Sequence, residues 1–350
     1  MLRRRALLML AALAAVPGAR ALPPRVLQFP RDFGSHPDLR TEWWYITGHA
    51  ASDAREFGFQ VTFFRSRVEG TQGLRSQFAA RQLVFAHAAI TDLKGRALHH
   101  DQRIARASFG IARASEHDTD VRLRDWSLVR AEGGYHAHVA SSEFALDLRF
   151  TPTQPVLLQG DAGLSRKGPD AAQASYYYSE PQLKTQGNLV LHGRRFDVSA
   201  GTAWLDHEWS NAYMHPEAEG WDWIGMNLDD GGALMAFRMR RRDGAALWAG
   251  GSIRSRDGQL RAFGPDEVRF EPAGHWVSPR TRASYPMRWR VQTPAGAFEV
   301  RTLLDDQELD SRGSTGAVYW EGLSELLDAQ GGRIGRGYLE MTGYAAPLRM

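Results

Sequence analysis

The chain has 350 residues, no cysteine, and 43 basic against 40 acidic residues. The absence of thiols excludes disulfides, thiolate nucleophiles and cysteine-ligated metals. The pI of about 9.2 reflects four arginines in the first 20 residues, and the rest of the chain is close to neutral. The sequence therefore lacks the basic patch of a nucleic-acid-binding protein, and we expect no nucleic acid partner.

The N-terminus has the pattern of a secretory signal peptide. Three arginines, Arg3 to Arg5, precede an apolar run from Ala6 to Val16, and Ala19-Arg20-Ala21 provides the small residues of a cleavage site. The apolar run is too short to cross a bilayer, which takes about 20 helical residues. We expect residues 1–21 to be a leader cleaved after Ala21 and the mature protein to be periplasmic or secreted. A retained leader that anchors the protein is the alternative.

The first half of the mature chain has the pattern of antiparallel strands. Phe57, Phe59, Val61 and Phe63 alternate with small or polar residues, which is the two-residue period of a half-buried strand. We assign residues 22–214 to a first β-domain. Its strands are separated by turn sequences at residues 92–95, 132–134 and 193–194.

The segment from Gly160 to Lys184 is rich in glycine, alanine, serine and polar residues, yet it contains Tyr176, Tyr177 and Tyr178. We predict an irregular segment that lies over a barrel mouth or a groove between barrels. A tyrosine offers an apolar ring together with a hydroxyl, which suits the wall of a wet-rimmed apolar cavity. The alternative is that the three rings only attach the segment to the core.

The second half, residues 215–350, contains the strongest hairpin signals. Asp230-Gly231, Asp243-Gly244 and Asp257-Gly258 recur at intervals of 13 and 14 residues between alternating segments. Strands that repeat this often without amphipathic helices favour closed barrels, because closure removes exposed edges. We predict an all-β protein of two tandem antiparallel β-barrels that meet near residues 211–219.

The strongest indication of function is the sequence Trp204-Leu205-Asp206-His207-Glu208-Trp209, which places acids among aromatic residues. Burial of a carboxylate is costly unless the group is paired or protonated, so such acids indicate a tuned site. Glu42 beside Trp43 and Trp44 repeats this combination. The alternative is a set of strands whose acids face solvent and whose rings fill the core.

Several sequence blocks resemble the AttH-like proteins, which are related to carotenoid 1,2-hydratases. The resemblance implies two lipocalin-like barrels packed together with a shared apolar cavity. In the hydratases an acid follows an aromatic residue by two positions, and Trp204-Leu205-Asp206 has this spacing, with tryptophan in place of tyrosine. The blocks are Glu42–Gly48, Tyr176–Ser179, Trp204–Trp209, Gly220–Trp223, Tyr319–Gly322 and Gly337–Tyr344.

Two functions fit these observations. The first is an exported binding protein for a lipid, an isoprenoid or another apolar small molecule, a role compatible with association with a membrane transport system. The second is a hydratase-like lyase or isomerase with Asp206 as general acid and Trp204 and Tyr177 beside it. The expected ligand-binding residues are Glu42, Trp43, Trp44, Tyr45, Tyr176, Tyr178, His207, Glu208, Trp209, Trp221 and Trp223.

Other chemistry has little support in the sequence. It contains neither Gly-x-Ser-x-Gly nor His-Glu-x-x-His, the motifs typical of serine and zinc hydrolases. A metal held by Asp206, His207, Glu208 and His215 is disfavoured, because neighbouring strand residues point to opposite faces. We expect no metal and no cofactor, and the sequence indicates no particular oligomeric state.

Overall fold

The protein is all-β, as the sequence predicts. The structure is a computed structural model that describes residues 21–53 and 55–349. Within these residues the helical elements are two 3-10 turns, at Arg31–Phe33 and Glu69–Thr71. The predicted signal peptide lies outside the described residues except for Ala21. No helix in the described part is long and apolar enough to cross a membrane.

The first sheet is antiparallel and nearly closes into a barrel, because strands β3 and β4 at one end of the sheet contact β5 and β6 at the other end. The order along it is β4-β3-β2-β1-β14-β12-β9-β8-β7-β6-β5, and β10, β11 and β13 pair with β12. Its strands are β1 (Thr41–Ser52), β2 (Arg55–Arg67), β3 (Gln82–Asp92), β4 (Ala97–Arg106), β5 (Ala112–Ala114), β6 (Asp120–Leu123), β7 (Trp126–Ala131), β8 (Gly134–Ala140), β9 (Phe144–Thr151), β10 (Leu157–Leu158), β11 (Leu164–Arg166), β12 (Ala174–Leu191), β13 (Arg194–Val198) and β14 (Ala200–Ala212).

The second sheet follows after residues 213–219 and is also antiparallel. Its order is β18-β17-β16-β15-β24-β23-β21-β20-β19, and β22 pairs with β23. Its strands are β15 (Gly220–Leu228), β16 (Ala233–Arg240), β17 (Ala246–Arg254), β18 (Leu260–Phe263), β19 (Arg269–Val277), β20 (Ser284–Thr293), β21 (Gly296–Thr302), β22 (Glu308–Ser311), β23 (Ala317–Leu327) and β24 (Arg333–Met341).

The Asp-Gly pairs form the turns that the sequence predicts. Gly231, Gly244 and Gly258 have φ angles of 96°, 82° and 87°, a backbone region that glycine adopts without strain. Each pair joins two neighbouring antiparallel strands from β15 to β18. The up-and-down order of these strands therefore follows from local turn chemistry.

The prediction of an irregular segment from Gly160 to Lys184 is wrong for its second half. Residues 174–191 form β12, a strand of 18 residues that pairs with both β9 and β14. A register shift between Glu180 and Leu183 interrupts the pairing with β14 and accommodates Pro181. Tyr176 and Tyr178 therefore point to one face of the first sheet, and Tyr177 points to the other.

Side chains from both sheets fill three large apolar clusters. One cluster occupies the interior of the first barrel, where Leu22, Leu27 and Phe33 of the N-terminal segment cover it. A second cluster fills the inner face of the second sheet. The third lies between the sheets, where β1, β2, β12 and β14 contact β15, β23 and β24. Because the first barrel is filled by its own side chains, space for a ligand remains where the two sheets meet.

Candidate functional site

A cavity of about 330 Å³ lies between the facing surfaces of the two sheets. This volume is at the lower end of the usual range for small-molecule sites. Strands β1, β2, β3, β12 and β14 contribute one wall, and β15, β23 and β24 contribute the opposite wall. Seven of the predicted site residues line it: Trp43, Tyr45, Tyr177, Asp206, Glu208, Trp221 and Trp223.

Asp206 lies on the wall formed by the first sheet, with its carboxylate held by three neutral donors. The Ser179 hydroxyl and the Trp204 indole donate to Oδ1 at 2.5 and 2.6 Å, and the Tyr177 hydroxyl donates to Oδ2 at 2.8 Å. Trp223 on the second sheet donates to the Tyr177 hydroxyl at 3.3 Å. Among the described residues no arginine or lysine forms an ion pair with Asp206. The carboxyl is therefore fixed in position while its charge is not neutralised.

Burial raises the pKa of Asp206 to about 7, against the opposing effect of its three hydrogen bonds. The nearby negative charge of Glu208 raises the pKa further. Since Oδ1 already accepts two hydrogen bonds, a proton on this acid is best placed on Oδ2. A carboxyl that exchanges its proton near neutral pH is suited to general acid catalysis.

Glu208 points to the same face and is paired with a buried lysine. Lys167 Nζ lies 2.7 Å from Glu208 Oε1, and the Ser175 hydroxyl donates to the same oxygen. The ammonium also lies 4.4 Å from the ring centre of Phe237 and 4.7 Å from that of Tyr177. Burial raises the pKa of Glu208, and Lys167 opposes this shift. Sequence reasoning missed Lys167, which lies in the segment that it treated as irregular.

The second sheet contributes a pair of carboxyls, Glu321 and Glu340, which sequence reasoning also missed. They are direct cross-strand partners on β23 and β24, and both line the cavity. Burial and the neighbouring charge of Glu340 raise the pKa of Glu321 far above its usual range, and burial raises that of Glu340 to about 8. Two adjacent carboxylates repel each other, so the pair retains a proton at neutral pH.

Unused hydrogen-bonding capacity faces the cavity next to this pair. The Tyr45 hydroxyl lies near the Glu321 carboxyl, but neither Tyr45 Oη nor Glu321 Oε1 has a hydrogen-bond partner of good geometry among the described residues. Buried polar atoms are normally satisfied by protein, water or ligand. These two atoms therefore mark a place where a water molecule or a ligand hydroxyl would be bound.

Aromatic rings supply most of the remaining wall. Tyr45 packs edge-on against Trp223 with ring centres 5.5 Å apart, and Trp43 packs against Tyr213 at 5.0 Å. Tyr213 in turn contacts Trp221 at 5.4 Å. The wall combines apolar surface with π-faces that stabilise positive charge.

Six of the residues expected to bind ligand do not line this cavity, so the structure does not bring them together with the cavity face of Asp206. Strand alternation sends them to the opposite face, into the interior of the first barrel. Trp204 likewise does not line the cavity, but it donates its indole N–H to Asp206. The six residues are Glu42, Trp44, Tyr176, Tyr178, His207 and Trp209.

Glu42 is the centre of a buried hydrogen-bond network in that interior. It accepts a hydrogen bond from Arg65 Nε at 2.8 Å and contacts His36 Nδ1 at 2.7 Å and His207 Nε2 at 2.9 Å. These contacts hold the pKa of Glu42 well below its usual range despite its burial.

The spacing of His36, Glu42 and His207 would allow a metal ion, since their ligand atoms lie within 4.8 Å of one another. The Arg65 guanidinium already neutralises Glu42, however, and both remaining histidine nitrogens contact Asp32 or Tyr178. This donor set fits an internally satisfied polar core better than a cation site.

The fold and the cavity define a protein of two lipocalin-like sheets that enclose a ligand-sized space. A sequence profile of AttH-like proteins matches residues 20–344, so the chain belongs to the AttH-like family, as its sequence blocks predict. None of the curated proteins is significantly similar to the chain.

Solved structures agree with this assignment. An AttH protein of Nitrosomonas europaea is 48% identical, with a TM-score of 0.86 over 93% of this chain and 99% of that one. Kievitone hydratase of Nectria haematococca has a TM-score of 0.72 at 15% identity, over 92% and 94% of the two chains. CghA, solved with Sch210972, has a TM-score of 0.54 at 15% identity, over 89% of each chain. The last two likenesses are at the level of the fold.

Proposed function

We propose that the protein is a hydratase-type lyase that adds water to a carbon–carbon double bond of an apolar molecule, or catalyses the reverse reaction. One observation carries this proposal: Asp206, with a pKa of about 7, lines an apolar cavity without a cationic partner. A structural carboxylate in such a place would be paired with a charge, as Asp222 is with Arg238 at 2.7 Å.

The first step is a proton transfer from Asp206 to one carbon of the double bond. The developing positive charge on the other carbon lies among the electron-rich faces of aromatic rings, including Tyr45, Trp223 and Trp43. Tyr177, Ser179 and Trp204 hold the carboxyl in place and stabilise the carboxylate that forms.

The second step uses the opposite wall. A water molecule bound by Tyr45 and Glu321 adds its oxygen to the cationic carbon, and the Glu321 and Glu340 pair accepts the proton that this water releases. The glutamate pair then passes this proton to the Asp206 carboxylate through cavity water, so the overall change is the addition of one water. Neither step needs a cofactor or an oxidant.

The similarity to the structure of kievitone hydratase supports the proposal at the level of the fold. The aromatic lining of the cavity supports an apolar substrate. A carrier of apolar ligands is the second candidate, since carriage needs only the cavity. The two candidates differ in whether the bound molecule is changed.

The test is a panel of isoprenoid alkenes incubated with the protein in ordinary and in ¹⁸O-labelled water, followed by mass spectrometry. A hydratase yields a product heavier by one water that carries the label, and Asp206→Asn abolishes this product while still binding the alkene. If wild-type protein returns bound alkenes unchanged and without exchange of vinyl protons in D₂O, the lyase proposal fails and the carrier is favoured.

A further inference from the structure

An exposed apolar patch lies beside β3 and β4 of the first sheet, where two neighbouring segments of the chain meet. It consists of Leu74 and Phe78 in the connection between β2 and β3, and of Ile104, Phe109 and Ile111 at and after the end of β4. Phe78 and Phe109 are 60% and 53% exposed. We call these five residues the docking patch. A contiguous group of exposed large apolar side chains indicates an interaction surface.

The patch is held in shape by hydrogen bonds from arginines. Arg106 Nη1 donates to the Phe78 carbonyl at 2.9 Å, and Arg81 Nη2 donates to the Leu74 carbonyl at 2.5 Å. The Phe78 and Phe109 rings pack with centres 5.2 Å apart, and the Arg106 guanidinium lies within 5.5 Å of both. The rings are therefore fixed in an exposed position that costs hydrophobic free energy in water.

The charged residues of the two segments that form the patch are all arginines. Residues 72–81 and 104–113 contain four arginines and no acid. Arg113 is paired with Asp120, whereas Arg75, Arg81 and Arg106 have no carboxylate partner among the described residues. Positive charge beside exposed apolar rings is the combination that binds anionic lipid surfaces.

The patch is continuous with the cavity. Ile104 belongs to the patch and also lines the cavity, and its cross-strand partner on β3, Phe85, lines it as well. Leu83, the partner of Arg106, is a further lining residue. Apolar side chains of β3 and β4 therefore connect the patch to the lining of the cavity.

We propose that the docking patch binds an anionic phospholipid bilayer, with Leu74, Phe78 and Phe109 inserted among the lipids and Arg75 and Arg81 at the head groups. The cavity then exchanges its apolar ligand directly with the bilayer. A second copy of the chain fits this surface less well, because a two-fold contact would bring the same unpaired arginines together. The docking itself does not depend on the chemistry of Asp206.

The test measures cosedimentation of the full protein with vesicles of phosphatidylcholine, with and without phosphatidylglycerol. We expect binding to the anionic vesicles that weakens as salt is raised. Phe78→Ser with Phe109→Ser should weaken it more than about tenfold, since two rings leave the apolar layer. Arg75→Ser should weaken it roughly fivefold.

The matched control is Leu260→Ser with Val277→Ser, which removes comparably exposed apolar side chains from β18 and β19 of the second sheet. This variant should bind like the wild type, and so should Asp206→Asn, which separates docking from the proposed reaction. Circular dichroism checks that each variant is folded. The proposal is overturned if the wild type ignores anionic vesicles, or if the Phe78 and Phe109 variant binds them unchanged. It is also overturned if sedimentation velocity shows that the patch instead joins two copies of the chain.

Discussion

Glu321 and Glu340 lie directly opposite each other on β23 and β24, with both carboxyls in the wall of the cavity. This pair does not stabilise the fold at neutral pH. At least one of the two carboxyls must keep a proton there, whereas a glutamate in the unfolded chain loses it. The pair faces Asp206 and Glu208 on the other sheet, and their charges raise the pKa of Glu340 in addition to burial. Four acids thus converge on one small apolar space.

The first prediction concerns stability as a function of pH. Glu340 keeps its proton in the folded protein up to a pKa of about 8 but loses it near 4.5 when unfolded. Protonated Glu340 therefore makes its full contribution to the free energy of unfolding below about pH 4.5, and this contribution is lost as the pH rises toward 8. Glu340→Gln should match the wild type at low pH and exceed its free energy of unfolding by a few kcal/mol near pH 8.

Chemical denaturation across this pH range measures the effect. Glu325→Gln on the neighbouring strand β23 is the control, because Glu325 pairs with Arg301 at 2.9 Å and its replacement should not stabilise the protein. A Glu340→Gln variant that is less stable than the wild type at pH 8 would show that the Glu340 carboxylate is ionised and stabilised by a partner.

The second prediction concerns Asp206→Asn. The amide keeps the shape and volume of the side chain but has no acidic proton to transfer. We expect turnover of an accepted alkene to fall by about 10²- to 10⁴-fold, with ligand affinity nearly unchanged. Steady-state kinetics and calorimetric titration measure the two quantities.

Asp222→Asn is the matched control for this change. Asp222 is buried in the second sheet, where it pairs with Arg238 and accepts a hydrogen bond from Tyr344 at 2.8 Å. Its replacement should lower the melting temperature and leave turnover per folded molecule unchanged. Equal losses of turnover in the two variants would indicate a general loss of structure and not a missing acid.

The third prediction is the pH profile of the reaction. Asp206 has a pKa of about 7, and the protonated form is the active acid. If proton transfer from Asp206 limits turnover, the rate should be constant at lower pH and fall about tenfold for each pH unit above 7. A rate that rises through this range would assign Asp206 the role of a base. The profile is measured as kcat, so that weaker substrate binding does not obscure it.

Much of the fold could be predicted from the sequence because its signals are local. An Asp-Gly pair specifies a tight turn, and the alternation around Phe57 to Phe63 specifies a strand whatever it pairs with. The strand β12 was missed because glycine- and serine-rich residues precede it and Pro181 interrupts it. Pairing with β9 and β14, which is a tertiary feature, overrides these local signals.

The site was only partly predictable, because some of its residues are neighbours in sequence and others come together only through strand pairing. Asp206 stands out because acids and indoles are adjacent in sequence. Trp43 and Trp44 are predicted to bind the same ligand, but neighbouring strand residues lie on opposite faces, and of the two only Trp43 lines the cavity. The pairing of Glu321 with Glu340 depends on the register of β23 and β24, which the sequence does not display.

The fourth prediction tests the placement of Glu42 outside the cavity. Glu42 pairs with Arg65 inside the first barrel, so Glu42→Gln leaves a buried guanidinium without its counter-ion. We expect a loss of about 3–5 kcal/mol in the free energy of unfolding. Ligand affinity of the folded protein should be unchanged, as measured by calorimetric titration at low temperature. A stable variant with reduced affinity would return Glu42 to the ligand site.

The last prediction concerns the cavity residue Glu208 and Lys167, whose charges lie 2.7 Å apart. Lys167→Met removes the ammonium and leaves Glu208 buried without a cation, which should cost about 3–5 kcal/mol. Adding Glu208→Gln to this variant removes the uncompensated charge and should recover most of the loss. Lys184→Met is the control, since Lys184 is exposed on the same strand as Tyr177.

A double-mutant cycle, measured by urea denaturation at neutral pH, separates the coupling from the individual effects. A coupling near zero would mean that Glu208 is already protonated in the folded protein. In that case Glu208 would be a second proton donor beside Asp206, and Lys167 would be held mainly by the rings of Phe237 and Tyr177. A large coupling means that Glu208 is ionised, and its negative charge then adds to burial, which is the main cause of the raised pKa of Asp206.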